Sequence, residues 1–394
     1  MTDASEARDH ADLLPRLAET PTTAAGRGAW WKLPLQLAGG FLAGMLGALL
    51  LIPLARQLPP FHAEGGGGYF VAGLVLSAWP HILLHEAGHA IAGKLAGMRL
   101  YAAGLGPWRL QQLDGRWRLQ RARGVRGLGG FAAMAPSTDG ESGRGMMLVF
   151  MLGGIAANAL IAALCLAWIV LAPPGPLLHG LLGGTAVVGL FFAVLNLLPI
   201  ESHGWQSDGK QALGMLRGDA NALRQLALQR YSALMLAGVR PRDWPATLRP
   251  RFDEAEPEGA ADRLHDVVYA QWTLDAGVEA DPRLWPRLVG HHARLPDGLR
   301  QYVALVMAEH AGRLRDPALL AAWRAECEGG LIDLSLQRAW LDAWLAALQG
   351  RHDALSGLLD EAESLLPRAS DPASRAVLAD HLRALRERTA ATPG

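Results

Sequence analysis

Three stretches of the chain contain no Asp, Glu, Lys or Arg: residues 33–55, 65–85 and 145–200. A membrane crossing needs about 20 mostly apolar residues, so each of the first two is one helix long. The third is too long for a single helix. It is divided by Pro173-Pro174-Gly175-Pro176, because proline lacks the amide hydrogen that a helix interior requires. The pattern therefore predicts four transmembrane helices, at about 33–55, 68–96, 146–172 and 181–198. The competing reading is four buried helices of a large soluble protein. It is disfavoured because soluble helices carry charge on their outward face.

Between the second and third of these helices the pattern changes to period two. Trp108-Arg-Leu-Gln-Gln-Leu113 and Arg116-Trp-Arg-Leu-Gln-Arg121 alternate around Asp114-Gly115. Asp-Gly between alternating segments is a strong hairpin signal. We expect a β-hairpin region over about 107–134, with a further short strand near 130–134. This loop also carries Lys94, Arg99, Arg109, Arg116, Arg118, Arg121, Arg123, Arg126 and Arg144, whereas the turn over 173–179 carries no Lys or Arg. Basic residues collect on the cytoplasmic side. With an even number of crossings, both termini and the 87–144 loop are then cytoplasmic.

From residue 205 the chain reads differently. It holds 23 basic and 26 acidic residues there, and Ala, Leu and Arg dominate. Trp340, Leu341, Trp344, Leu345 and Leu348 form one helical stripe, and Leu355, Leu358, Leu359 and Ala362 form another. Gly350 separates them, and Ser370-Asp371-Pro372 reads as the cap of a last helix. The expected fold class is mainly α. It is a polytopic membrane protein with a four-helix transmembrane core, a small cytoplasmic β-hairpin with an edge strand, and a solenoid-like C-terminal helical domain. The expected divisions are 1–32, an N-terminal cytoplasmic segment; 33–204, the transmembrane core; and 205–394, the cytoplasmic helical domain, with a candidate ligand motif at its start. Residues 1–29 include five acidic residues and no apolar run, so no signal peptide is expected there.

Composition narrows the function classes. The chain has 37 Lys+Arg and 37 Asp+Glu, and a balanced charge argues against a general nucleic-acid binder. Cys165 and Cys327 are the only cysteines, which excludes a disulfide framework and an all-cysteine zinc site.

The chemistry lies in the second predicted helix. His85-Glu86-Ala87-Gly88-His89 fits H-E-x-x-H. Helical positions i and i+4 share one face, so both imidazoles can reach one metal. Glu86 lies beside the first ligand, where it can take a proton from an attacking water and return it to a leaving amine. Two histidines and a glutamate are costly in a hydrophobic helix unless they function. One zinc ion per chain suits this donor set, and a catalytic zinc needs a third protein ligand. His81 lies one turn before His85 on the same face and is read as lining the pocket or supporting a ligand, with packing against Trp79 or solvent as the alternative; His203 is a second candidate for such a supporting role.

The end of the fourth hydrophobic segment reads Asn196-Leu-Leu-Pro199-Ile-Glu201-Ser-His203-Gly-Trp-Gln-Ser-Asp208-Gly209. It offers three candidate ligands: Glu201, His203 and Asp208. Glu201 falls near the helix end, and His203 beside Gly204 suits a loop. Asp208 precedes a helix-like run that would hold it on rigid backbone, with Gly209 allowing close approach to the His85–His89 helix.

An H-E-x-x-H membrane helix, followed two helices later by Asn-x-x-Pro and then Asp-Gly, resembles the site-2 protease family of intramembrane zinc metalloproteases. In that family the aspartate of the Asp-Gly motif is the third ligand, which points to Asp208. The stretch between Pro199 and Asp208 is longer than the family's commonest pattern, so Glu201 and His203 stay in contention. Gly129-Gly130-Phe131 resembles the family's Gly-Gly-aromatic element, whose edge strand pairs with extended substrate. By the same resemblance Asn196 joins Gly129, Gly130 and Phe131 as a substrate-binding residue. Gly153-Gly154-Ile-Ala-Ala-Asn158 resembles a Gly-Pro-x-Ala-Asn segment, with Gly154 in place of proline. Small residues there permit close helix packing, and Asn158 can hydrogen-bond across helices. The resemblance covers about 70–213 and leaves no room for a PDZ insertion. The segment 349–367 resembles a tetratricopeptide helix pair, without a regular period.

The resemblance implies a metalloendopeptidase acting on membrane-embedded or membrane-anchored segments in regulated proteolysis. Its partners would be the lipid bilayer, a membrane-protein substrate and a protein partner for the C-terminal helices, with no nucleic acid. Its location would be a cell membrane, foremost a bacterial inner membrane. The rivals are a catalytically silent scaffold of the same fold and an H-E-x-x-H membrane protease of another family with a glutamate third ligand. A transporter is disfavoured, since only one broken hydrophobic segment is present.

Overall fold

The computed structural model describes residues 66–113, 115–121, 129–136, 143–202, 205–328 and 331–390. The helix expected at 33–55, the segment 1–32 and His203 lie outside the described residues. Within them the chain is mainly α, with twelve α-helices and a small antiparallel sheet.

Among the described residues, three helices are long and apolar enough to cross a membrane: α1 (Gly66–Leu95), α2 (Arg144–Leu171) and α3 (Pro176–Leu197). They fall close to the three expected here. The third begins five residues earlier than the expected 181, because Pro176 occupies its first turn, behind Gly175 as N-cap. Proline is tolerated there, where its missing amide hydrogen would have no helical partner. The three helices pack on one another. Their outward faces are apolar, with Val71, Val75, Leu76, Trp79, Leu83, Leu160, Leu164, Trp168, Phe191 and Val194 exposed. The inward face of α1 is polar. Ser77, His81, His85 and His89 recur every fourth residue and are only 6%, 0%, 9% and 5% exposed. Apolar outside and polar inside is the arrangement a lipid solvent favours.

The loop after α1 forms a four-stranded sheet, ordered β3-β2-β1-β4, with β1 (Met98–Leu105), β2 (Trp108–Leu113), β3 (Arg116–Arg121) and β4 (Gly130–Pro136). The expected hairpin is β2–β3, with Gly115 at φ 71°. Strand β1 was not expected. It pairs with β2 on one side and β4 on the other, with a bulge between Leu100 and Ala102. β4 is the short strand expected near 130–134, and among the described residues it lies at the edge of this sheet, as the resemblance implied. A methionine-rich core, Met98, Met134, Met147, Met151 and Met215, joins the sheet to α2 and α4 (Asp208–Arg217).

After α4 come α5 (Ala220–Leu236), α6 (Ala260–Ala276), α7 (Leu284–Arg294), α8 (Asp297–Arg313), α9 (Pro317–Ala325), α10 (Ser335–Leu348), α11 (His352–Leu365) and α12 (Pro372–Ala390). Helices α6–α12 share a large apolar core in which Leu320, Trp323, Leu341 and Leu359 are buried. The expected stripes lie on α10 and α11, separated by Gly350 at φ 67°. Asp371 caps α12 by accepting from Ser374 N at 2.7 Å. The helices pack mostly on sequence neighbours, and α12 also returns to α5. Arg240 reinforces that closure by donating to Asp275 and Asp380.

Candidate metal centre

The centre is built from two helices. Residues 85 and 89 lie one turn apart on α1, which brings His85 Nε2 and His89 Nε2 to 3.1 Å. Asp208, the first residue of α4, places Oδ2 at 3.0 Å from His85 Nε2 and 3.3 Å from His89 Nε2. Two features fix α4 there. Ser207 is its N-cap and accepts from Lys210 N at 3.2 Å. Gly209 lies against the end of α3, where a Cβ would be 1.8 Å from Leu197 O. The close approach expected of Gly209 is therefore to α3 rather than to the His85–His89 helix.

The long stretch between Pro199 and Asp208 is accommodated as a miniature hairpin, β5 (Glu201–Ser202) with β6 (Trp205–Gln206). Its base is closed by Ser207 N donating to Ile200 O at 2.9 Å, Ile200 N donating to Ser207 Oγ at 3.0 Å, and Ser207 Oγ donating to Leu198 O at 2.6 Å. The pairing of β5 with β6 thus absorbs the added length and leaves Asp208 at the histidines. Glu201 goes elsewhere: it is exposed and paired with Lys210. That hydrogen bond holds its carboxyl below the usual carboxylate range.

His85, His89 and Asp208 form a group that can hold a metal ion, with donor atoms within 4.8 Å of one another. The donor atoms fit such an ion. His89 Nδ1 is 2.7 Å from the Phe150 carbonyl, which can only accept, so Nδ1 carries the hydrogen and Nε2 presents a lone pair. Asp208 Oδ2 is shielded from solvent and receives no hydrogen bond among the described residues. An imidazole lone pair and an unpartnered carboxylate oxygen facing one another at this range call for a cation between them. Space is reserved around them as well. A Cβ on Gly154 would lie 2.6 Å from both His85 Cε1 and His89 Nε2, so a side chain at that position would displace the rings.

Glu86 faces the sheet. A Cβ on Gly130 would lie 2.8 Å from Glu86 Cγ, so the first residue of β4 abuts the carboxylate arm. Gly129 lies beside Ile82. Phe131 lays its ring over Gly104 of β1, turned along its own sheet. Asn196 donates from Nδ2 to Phe192 O at 3.0 Å within α3. His81 is fully buried, with Nδ1 2.9 Å from Asn158 Oδ1 and Nε2 3.0 Å from Thr185 O. It belongs to a hydrogen-bonded group beside the three donors. Asn158 is itself fully buried. It hydrogen-bonds across helices, as expected; that its partners are His81 and His85 was not evident in the sequence. A signal that could have found this polar seam is the four-residue spacing of Ser77, His81, His85 and His89. Comparison with protein-family models, characterised proteins and solved structures finds no match.

Proposed function

We propose that this chain is a zinc-dependent intramembrane protease that hydrolyses peptide bonds of membrane-embedded or membrane-anchored substrates. The observation that carries the reading is the convergence of His85 Nε2, His89 Nε2 and Asp208 Oδ2 on membrane-length helices, beside a glutamate that abuts an edge strand. A structural zinc site has no use for that glutamate.

His85, His89 and Asp208 would hold the zinc, which when bound supplies a Lewis acid and makes a nearby water more acidic. Glu86 takes the proton of the attacking water and delivers it to the leaving amide nitrogen. The substrate helix has to unwind, because its carbonyls are engaged within the helix. Strand β4 offers an extended partner: its outer edge is unpaired by any strand among the described residues, and strand addition holds a peptide by its main chain. The nine Lys and Arg residues of the 87–144 loop favour a cytoplasmic position for the sheet and for the centre. The C-terminal helices would then be a cytoplasmic module for regulation or substrate docking.

The test uses purified full-length protein with tagged single-span test proteins whose helices carry destabilising Gly and Pro residues. Cleavage should appear with zinc, disappear with a chelator and return when zinc is restored. Glu86→Gln should keep zinc at wild-type occupancy and lose cleavage by about 100-fold or more, the scale of general acid–base catalysis. Wild-type turnover in that variant would sink the reading, as would cleavage insensitive to chelation.

A further inference from the structure

A chain of buried and part-buried hydrogen bonds crosses α1, α2 and α3 and ends on a candidate metal donor. Thr185 O of α3 lies 3.0 Å from His81 Nε2 on α1. His81 Nδ1 lies 2.9 Å from the Asn158 amide on α2. The other end of that amide lies 3.3 Å from His85 Nδ1, back on α1. His81 and Asn158 are both 0% exposed. No acidic residue is paired with His81 among the described residues.

The hydrogens of this chain can be assigned in sequence. A carbonyl only accepts, so His81 Nε2 carries a hydrogen. A second hydrogen on Nδ1 would make a fully buried imidazolium with no counter-charge, which is costly. His81 is therefore neutral, with a lone pair on Nδ1. The Asn158 group facing it must donate, so the atoms placed as Oδ1 and Nδ2 exchange: the NH₂ of the amide points at His81 and the oxygen at His85. The two ends of an amide have nearly the same shape, and the network decides which is which. The Asn158 oxygen then needs a hydrogen on His85 Nδ1. That leaves His85 Nε2 with its lone pair directed towards Asp208. His89 reaches the same tautomer independently, through Phe150 O at 2.7 Å.

We propose that Asn158 and His81 are positioning residues that hold His85 as its Nδ1–H tautomer, so that Nε2 is ready to bind metal. The proposal rests on the reading of His85 as a metal ligand. A partner hydrogen-bonded to a ligand's far nitrogen fixes ring orientation and raises basicity, and losing one weakens metal binding about 10–100-fold. Asn158 acts on His85 directly, whereas His81 acts only by fixing the amide.

The experiment measures cobalt(II) and zinc affinity of the full-length protein in detergent, together with thermal stability and ¹⁵N-histidine NMR of the zinc-loaded form. Asn158→Leu should bind either metal about 10–100-fold more weakly. Asn158→Asp, which keeps an acceptor for His85 Nδ1–H, should recover most of that loss. The double variant Asn158→Leu/His81→Phe should bind no worse than Asn158→Leu, because both act through one bond. The wild-type spectrum should show His85 protonated at Nδ1. A merely structural role would lower thermal stability in both Asn158 variants and leave affinity unchanged, and that result overturns the proposal. A His85 protonated at Nε2 also overturns it. If Asn158→Leu does not fold, His81→Phe carries the question: weaker metal binding supports the chain, wild-type affinity refutes it. His85→Ala separates the two readings. If it binds metal as tightly as wild type, the metal-site reading fails and takes the chain with it. If it loses metal while Asn158→Leu does not, the site stands and the chain fails.

Discussion

Gly130 presses on Glu86 so closely that a Cβ at position 130 would sit 3.0 Å from the Glu86 Oε1 atom and 2.8 Å from Cγ. The start of the edge strand and the proposed proton carrier therefore share one space. Even alanine at 130 would force the carboxylate arm to shift, and misplacing a reacting group by about 1 Å can cost on the order of 100-fold in rate. Gly130→Ala should lower cleavage of a single-span test protein by at least about tenfold while zinc content stays at the wild-type level. Gly97→Ala is the contrast for space, since a Cβ there meets nothing within 4 Å; its cost is backbone strain at φ 93°, so it should affect stability and spare turnover. Full activity in Gly130→Ala would show that Glu86 does not depend on this contact.

The same strand gives a test of strand addition. Gly106 N donates to Gly129 O at 3.0 Å, and the register continues through Gly104↔Phe131 and Ala102↔Ala133. Antiparallel pairs alternate between bonded and non-bonded, so Phe131 and Ala133 turn their main-chain groups to β1. Gly130 and Ala132 turn theirs to the open edge. Proline at 132 removes a hydrogen from the open edge, and proline at 133 removes one from the ladder. Ala132→Pro should fold, hold zinc and lose cleavage. Ala133→Pro should lower the melting temperature as well. Equal cleavage by Ala132→Pro and the wild type would mean that substrate is held without the outer edge of β4.

Much of this arrangement was legible in the sequence because long uncharged helices leave an unmistakable pattern. Uncharged runs located α1, α2 and α3, and H-E-x-x-H located two donors on one helical face. Strand β1 escaped notice because Met98–Leu105 mixes Arg99, Ala102, Ala103 and Gly104 without clean alternation, and it is half covered on both sides rather than on one. The third donor could not be chosen by spacing, since Glu201, His203 and Asp208 fall within eight residues. What separates Glu201 from Asp208 is the hairpin closed by Ser207, a tertiary feature with no local signature. An interhelical hydrogen bond from Asn158 was legible, but its partners were hidden for the same reason: they are 77 and 73 residues away.

Those geometric differences predict the ligand set. Asp208→Ala should lose zinc by more than the about 10–100-fold typical of losing a supporting hydrogen bond, because a donor itself is removed. Glu201→Ala should keep zinc, because its carboxylate is turned to Lys210 and Gln206. Metal analysis of the two purified proteins decides the matter. Zinc kept by Asp208→Ala and lost by Glu201→Ala would reverse the assignment.

The C-terminal helices should weaken in mild acid for a reason unrelated to the metal centre. Burial, with the positive Arg224 nearby, pushes His265 down to about 4, against the opposing pull of Asp266, Asp253 and Asp262. Burial, with Arg300, pushes His292 down to about 4. Glu326, 3.7 Å from His292 Nε2, is half exposed and too weakly placed to offset that burial. In the unfolded chain both should titrate near 6.5. Between pH 6.5 and about 4 the unfolded chain therefore binds protons that the folded chain refuses, so stability rises with pH across this window. The contribution is complete above about 6.5 and is lost as pH falls towards 4, by roughly 1–3 kcal/mol for each histidine. Thermal unfolding of the full-length protein in detergent, followed by tryptophan fluorescence at pH 7.5 and pH 5, reads the difference. His265→Gln and His292→Phe should each flatten the dependence. Acid release of metal from His85 and His89 would act equally on both variants and the wild type, so the comparison isolates the two buried residues. A wild type as stable at pH 5 as at pH 7.5, or variants with its full slope, would show that neither histidine is held neutral by the fold.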